Sequence, residues 1–243
     1  MLRPVHLAGE VDHSNPLAAF QRSWVTHARS VNGINICALA GHLLASLRLR
    51  EVGRMDKIFE DKLNAFESIL DSIRGTRHFS FECGNGWYPA IHASLSFASK
   101  RNEEKQLGLR IIQVKEKFAG LRIYHRGGDE QVEACFSAAS VIAGSMCDVC
   151  SRLGYADNQG GWVAVRCEEH RGLPARDLSD AYILDEQFVD GLSEAIELLV
   201  REFGSGAAQW LLKAHPGLGG EQPLAIIIEE QSCARVLSIL GRE

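Results

Sequence analysis

Apolar residues recur along this chain with two different periods, and the changes of period divide it into segments. Ile58, Phe59, Leu63, Phe66, Ile69, Leu70 and Ile73 fall at helical spacing, with Asp56, Lys57, Glu60, Asp61, Lys62 and Glu67 between them. That pattern predicts an amphipathic helix over 56–73, with Asp56 placed to cap it and Gly75 to stop it. Ahead of it, Ala18–Val31 follows Asn15-Pro16 and reads as a helix, and the Ala- and Leu-rich Ile34–Leu49 reads as a second, interrupted at Gly53.

After the turn-prone Cys83-Gly84-Asn85-Gly86, Tyr88–Ser99 reads as another helix. The period then drops. Leu109–Val114 and Gly120–Tyr124 are β-rich runs joined by a short polar turn, which predicts a hairpin closed off by Gly127-Gly128. A helix from Asp129 to Ala143 carries Val132, Cys135, Phe136, Ala139 and Val141 toward a core, and Trp162–Arg166 reads as a strand. Arg171–Asp180, with Gly172, Pro174 and several charges, reads as a linker. Beyond it Phe188, Val189, Leu192, Ile196, Leu199, Val200 and Phe203 form one stripe of a helix over 185–203, and shorter helices flank Pro216-Gly-Leu-Gly-Gly220. The fold class expected is α+β. It comprises a helical segment 1–54, a central hairpin and helix unit 55–172 with a metal knuckle, and an all-helical segment 178–243.

Composition narrows the setting. An apolar fraction of 46% and a charged fraction of 23% fit an ordinary globular protein. The net charge of −5 argues against a nucleic-acid coat or an anionic membrane as the main partner, since both favour a basic excess. No apolar run approaches the length of a signal or a membrane span. Of seven cysteines, Cys37, Cys83, Cys135 and Cys233 are scattered without paired spacing, so a reduced, cytoplasmic location is expected.

The other three cysteines carry the strongest chemical signal. Cys147-Asp-Val-Cys150 and Cys167-Glu-Glu-His170 are two short chelating turns separated by sixteen residues. Each turn can place two soft or borderline donors on one side of a tight bend, and Gly154, Gly160 and Gly161 let the chain fold back between them. Three thiolates and one imidazole complete a tetrahedron suited to one Zn²⁺, and four protein donors make that zinc structural. The second matched half argues against a redox Cys-x-x-Cys, and the His-x-Glu of zinc deaminases is missing.

Other residues invite functional readings with simpler alternatives. Lys115, Glu116 and Lys117, with Arg122 and Arg126, make a basic hairpin able to meet phosphate, although a solvated turn and exposed strand face is the simpler explanation. Trp87 and Tyr88 suit stacking or, more simply, core packing. His42, His78, His92 and His125 lack a nucleophile and acid in a recognisable local pattern, and Glu168 and Glu169 read as solvated carboxylates. Gly217-Leu-Gly-Gly220 lacks the Lys-Ser/Thr of a phosphate loop. No assembled catalytic site is legible, and the chain is expected not to be an enzyme.

Two resemblances add to this. Gly84-Asn-Gly-Trp87, Gln113–Tyr124, Gly127-Gly-Asp129 and the two chelating turns make Met55–His170 resemble a group of uncharacterised bacterial and phage proteins, which implies no activity. Members commonly begin near Met55, which marks 1–54 as an added segment.

Ala195–Gly204, Ala208-Gln-Trp-Leu211, Pro216–Gly220, Pro223-Leu224, Ala234-Arg-Val236 and Leu240-Gly-Arg242 resemble the Xre/MbcA/ParS-type antitoxin toxin-binding domain. Ile226–Cys233 departs from it, with Cys233 where a small glycine is usual. The resemblance implies a helical unit that grips a RES-type, NAD-destroying protein toxin and blocks its active site with the chain end. Trp210, Leu218, Arg242 and Glu243 would then be the partner-binding residues, and Trp210, Leu211, Leu218, Leu224 and Val236 a small core. These antitoxins usually carry a helix-turn-helix, which is not legible here, so promoter binding does not follow. The function expected is therefore an antitoxin-like binding protein with a structural zinc. The alternatives are a zinc-containing nucleic-acid-binding regulator, an enzyme such as a metal-dependent nuclease, which would need an open metal site, or a helical appendage serving self-association into a homo-oligomer.

Overall fold

The structure, a computed structural model, describes residues 54–71, 79–159, 162–172 and 182–240. The helices expected at Ala18–Val31 and Ile34–Leu49, the stop at Gly75, the linker beyond Gly172, Gly160 and Gly161, and Gly241–Glu243 lie outside the described residues.

Helix α1 is Lys57–Leu63, followed by a 3-10 turn at Asn64–Phe66, and so is shorter than its apolar period predicts. The reason is Asn64. Its amide donates to the Glu60 and Phe79 carbonyls and accepts from the Phe79 N–H, turning the chain toward the strand that follows. Asp56 occupies the N-cap position without capping. Its carboxylate accepts from Asn85 Nδ2 (2.8 Å), while its N–H donates to Asn85 Oδ1 (2.8 Å).

Strand β1, Phe81–Glu82, pairs in parallel with β2, Arg110–Glu116, which pairs antiparallel with β3, Leu121–Arg126. The hairpin was expected; the short parallel strand was not. Between β1 and β2 lies α2, Tyr88–Lys105, which runs past its expected end to a left-handed Gln106. Helix α3, Glu130–Ala143, is capped by Asp129, whose carboxylate accepts from the Val132 N–H and from Arg101. A two-stranded ribbon follows, β4 (Tyr155–Gln159) against β5 (Trp162–Arg166).

Helix α4, Glu186–Phe203, is capped by Asp185 and buries Phe188, Val189, Leu192, Ala195, Ile196, Leu199 and Val200. Short helices α5 (Ala207–Leu211), α6 (Pro223–Glu229) and α7 (Ala234–Leu237) complete the chain. The fold is α+β. Helix α4 packs on α2 and α3, and α5 packs on α3, so the residues before 172 and after 182 build one continuous core from Met55 to Leu240. Burying a Leu, Ile or Phe side chain contributes about 1.5–3 kcal/mol, so this joint surface is a main source of stability for both halves. Among the described residues no helix is long and apolar enough to cross a membrane.

Candidate metal centre

The polypeptide builds two tight turns and sets them face to face. In the first, the Cys147 N–H donates to the Arg152 carbonyl (2.7 Å), the Ser151 N–H donates to the Cys147 carbonyl (3.0 Å), and Met146 bridges to Leu153. Ser151 takes a left-handed φ of 67°, which turns the chain sharply after the second thiol. In the second, the His170 and Arg171 N–H groups both donate to the Cys167 carbonyl, and Gly172 turns away at φ 72°. The β4–β5 ribbon joins them, and the Asp148 N–H donates to the Val165 carbonyl (3.0 Å).

The ligand atoms of Cys147, Cys150, Cys167 and His170 all lie within 4.8 Å of one another. Metal–sulfur bonds of about 2.3 Å and metal–nitrogen bonds of about 2.0–2.1 Å imply tetrahedral edges of about 3.8 Å for sulfur–sulfur and about 3.5 Å for sulfur–nitrogen. The Cys150 and Cys167 sulfurs are 3.7 Å apart, and His170 Nδ1 lies 3.5 Å from Cys147 Sγ and 3.2 Å from Cys167 Sγ. The donors therefore fit one tetrahedral metal ion, with Nδ1 as the nitrogen donor. All but the half-buried Cys150 are buried. A mutual hydrogen bond lowers the Cys150 thiol pKa and, with burial, raises that of Cys147.

Charge around the centre is arranged to match. A divalent ion with three thiolates and a neutral imidazole carries a net charge of about −1. The buried Arg166 faces this centre and pairs with the buried Asp148. Burial lowers the Arg166 pKa, while the fields of Cys147 and Cys167 act the other way. Arg152 reaches the Cys150 sulfur and binds Glu169 through a 2.9 Å contact. Sequence reading passed over Asp148 and Arg166. The signal was an acid inside the first chelating turn and a cation beside the second. Glu168 and Glu169 are exposed and paired with Arg171 and Arg152, as their solvated reading expects.

The Gly84-Asn-Gly-Trp87 turn is the cradle of the first knuckle. The Gly86 N–H donates to the Asp148 carbonyl (2.8 Å), Ser151 Oγ donates to the Gly86 carbonyl (2.7 Å), and Trp87 Nε1 donates to the Met146 carbonyl (2.8 Å). A Cβ at Gly84 would sit 2.1 Å from the Asp148 carbonyl oxygen. Trp87 is fully buried and Tyr88 nearly so, packed against Phe59 and His92; both fill the core.

Ser151 also ties the centre to the C-terminal helices. Its carbonyl accepts from Gln231 Nε2 (3.1 Å), and Gln231 also donates to the Ile228 carbonyl (2.8 Å). Two residues on, Cys233 packs against Gly191 of α4, with 3.4 Å between its Cβ and the place a Cβ at 191 would occupy. Cys233 is thus matched by a glycine on the facing helix.

The other expected site residues are placed differently. Leu218 is buried and packs the turn after Pro216, as do Leu211, Leu224 and Val236 in their helices, so Leu218 offers no surface to a partner. Trp210 is half-buried, stacked on Phe203 (5.3 Å between ring centroids) and tilted against His215. Arg242 and Glu243 lie outside the described residues. Comparison of the chain with protein-family models, with curated proteins and with solved structures returned no match.

Proposed function

We propose that this chain is a non-enzymatic, antitoxin-like binding protein. It holds one structural zinc at Cys147, Cys150, Cys167 and His170 and engages a protein toxin through residues 178–243. The observation that supports the binding-protein reading best is the closed donor set, whose four protein ligands leave no position for water or substrate. Three thiols with one imidazole favour zinc over the hard cations, which take oxygen donors. When bound, the ion neutralises the thiolates and clamps the two turns together. The residues around it then work by position: Arg166 balances charge, and Ser151 carries the shape of the knuckle to Gln231.

The toxin half of the reading rests on the sequence resemblance of the C-terminal segment. Trp210 on its half-exposed stack and the polar tail Arg242-Glu243 are the residues it assigns to the partner, with Leu218 as support from beneath. Removing the whole C-terminal segment would strip α4 from α2 and α3 and expose the core, so the test needs smaller changes. The test is co-expression of the full chain with a NAD-degrading RES-type toxin, beside a version lacking 241–243 and a Trp210→Ala variant. Co-purification and restored NAD for the full chain, with NAD loss returning on removal of the tail, are expected. A toxin that neither co-purifies nor is inhibited would overturn the proposal.

A further inference from the structure

The outward face of the β1–β2–β3 sheet carries a charge pattern unlike the rest of the described surface. In the β2–β3 register Arg110 stands opposite Arg126 and Lys115 opposite Arg122. Like charges directly opposite on one face destabilise a strand pair, so the sheet pays for this arrangement twice along one short hairpin. Elsewhere the described cations are mostly neutralised: Arg101 by Asp129, Lys100 by Glu197, Lys57 by Asp61, Arg235 by Glu221 and Glu230. No described carboxylate lies within ion-pair distance of Lys115, Lys117, Arg122 or Arg126. Two acids stand beside them without forming an ion pair: Glu82, opposite Lys115 in the β1–β2 register, accepts from Gln113, and Glu116, on which the Arg122 charge acts, accepts from the Ala119 N–H.

Aromatic rings interleave with these cations. Tyr124 is 40% exposed and has Lys115 Nζ 5.2 Å from its ring centre; Phe118, at the hairpin tip, is 79% exposed with Lys117 Nζ 5.7 Å away. The tip is a two-residue loop closed by the Lys117 N–H to Gly120 carbonyl bond (2.8 Å) and its reciprocal (3.1 Å). Both loop residues have positive φ, 54° at Phe118 and 58° at Ala119, where Asn-Gly is the natural choice. A bulky, exposed ring held in a left-handed conformation carries a backbone cost without burying surface. Aromatic faces spaced among unpaired cations suit a strand whose bases are free to stack and whose phosphates follow the cations. A duplex keeps its base faces inside and would use the cations alone.

We propose that this sheet face and the Phe118 tip bind single-stranded nucleic acid, with Tyr124 and Phe118 as stacking platforms and Lys115, Lys117, Arg122 and Arg126 as phosphate contacts. The surface lies outside the metal centre and outside the C-terminal segment, so it stands or falls independently of the toxin reading.

The test is fluorescence anisotropy of the full, zinc-loaded chain with short labelled oligothymidine and oligouridine. An unlabelled duplex and anionic phosphatidylserine vesicles serve as competitors. Four phosphate contacts predict a roughly fiftyfold loss of affinity between about 50 and 200 mM salt. Tyr124→Ala and Phe118→Ala should each weaken binding about fivefold to a hundredfold, with zinc content and thermal unfolding retained. Lys115→Gln with Arg122→Gln should flatten the salt dependence. Preference between the two oligomers tells DNA from RNA. No binding at the lower salt would overturn the proposal, as would affinity unchanged in both aromatic variants. Displacement by duplex or by vesicles as effective as that by the single strand itself would overturn it too.

Discussion

The backbone of Gly86 lies directly against that of Cys147: a Cβ at position 86 would stand 2.2 Å from the Cys147 carbonyl oxygen and 2.8 Å from the Cys150 nitrogen. A turn 60 residues upstream thus shapes the first chelating knuckle by having no side chain there. Gly86→Ala should destabilise the protein by about 3 kcal/mol or more and lower metal retention, since rigid backbone cannot yield as a flexible side chain does. Urea unfolding with metal analysis checks this. Gly206→Ala is the control, because its Cβ would meet nothing closer than Phe203 Cβ at 3.8 Å.

Asp129 joins two devices at one carboxylate, the cap of α3 and the ion pair with Arg101. Burial works to raise its pKa, but Arg101 and the Val132 N–H outweigh this and hold it below its ordinary value. Asp129→Ala should cost about 1–2 kcal/mol, and Asp129→Asn less, because an amide oxygen still caps. Denaturant titration of the two variants separates the cap from the charge.

His92 provides a pH dependence. Burial, the largest influence, lowers its pKa below 6.5, with Asp190 opposing and Lys62 assisting. Below that value the unfolded chain binds a proton that the folded chain resists. The stability contribution is fully present above about pH 6.5 and is lost as the pH falls toward the folded value. The unfolding midpoint should therefore drop more between about pH 6.5 and 5 in the unaltered chain than in His92→Gln. Equal slopes would remove His92 from the account.

Phe118 tests whether the hairpin tip trades stability for a surface. Phe118→Gly relaxes a positive φ of 54° at an exposed position and should raise stability by about 0.5–1 kcal/mol while abolishing the stacking contact. Paired thermal unfolding and oligonucleotide binding read both effects.

The metal ligands, α3, α4 and the hairpin were legible because their signals are local: ligand spacing and a clear apolar period. What escaped is non-local or polar. Strand β1 is two residues long and pairs with β2 across α2, so no periodicity announces it. Strand β4 reads Tyr-Ala-Asp-Asn-Gln, with no apolar alternation, and exists because β5 and the two knuckles hold it. The apolar period through Ile69 and Leu70 suggested a longer α1; those residues are buried instead in the turn that Asn64 directs, and Leu70 bridges to Ile111. Glycines 84 and 86 looked like a generic turn, since their contact with Cys147 and Asp148 depends on the folded knuckle.

The proposed zinc ion at Cys147, Cys150, Cys167 and His170 would hold this part of the fold together. Zinc per chain in the purified protein, with thermal unfolding before and after chelation, is the decisive measurement. One zinc per chain and a large fall in the unfolding midpoint on chelation are expected, because metal binding energy at such a site is folding energy. Hydrogen exchange should then rise first at 147–170 and spread to Gln231 through Ser151. A chain that carries no stoichiometric metal, or that unfolds at the same temperature after the metal is removed, would contradict it.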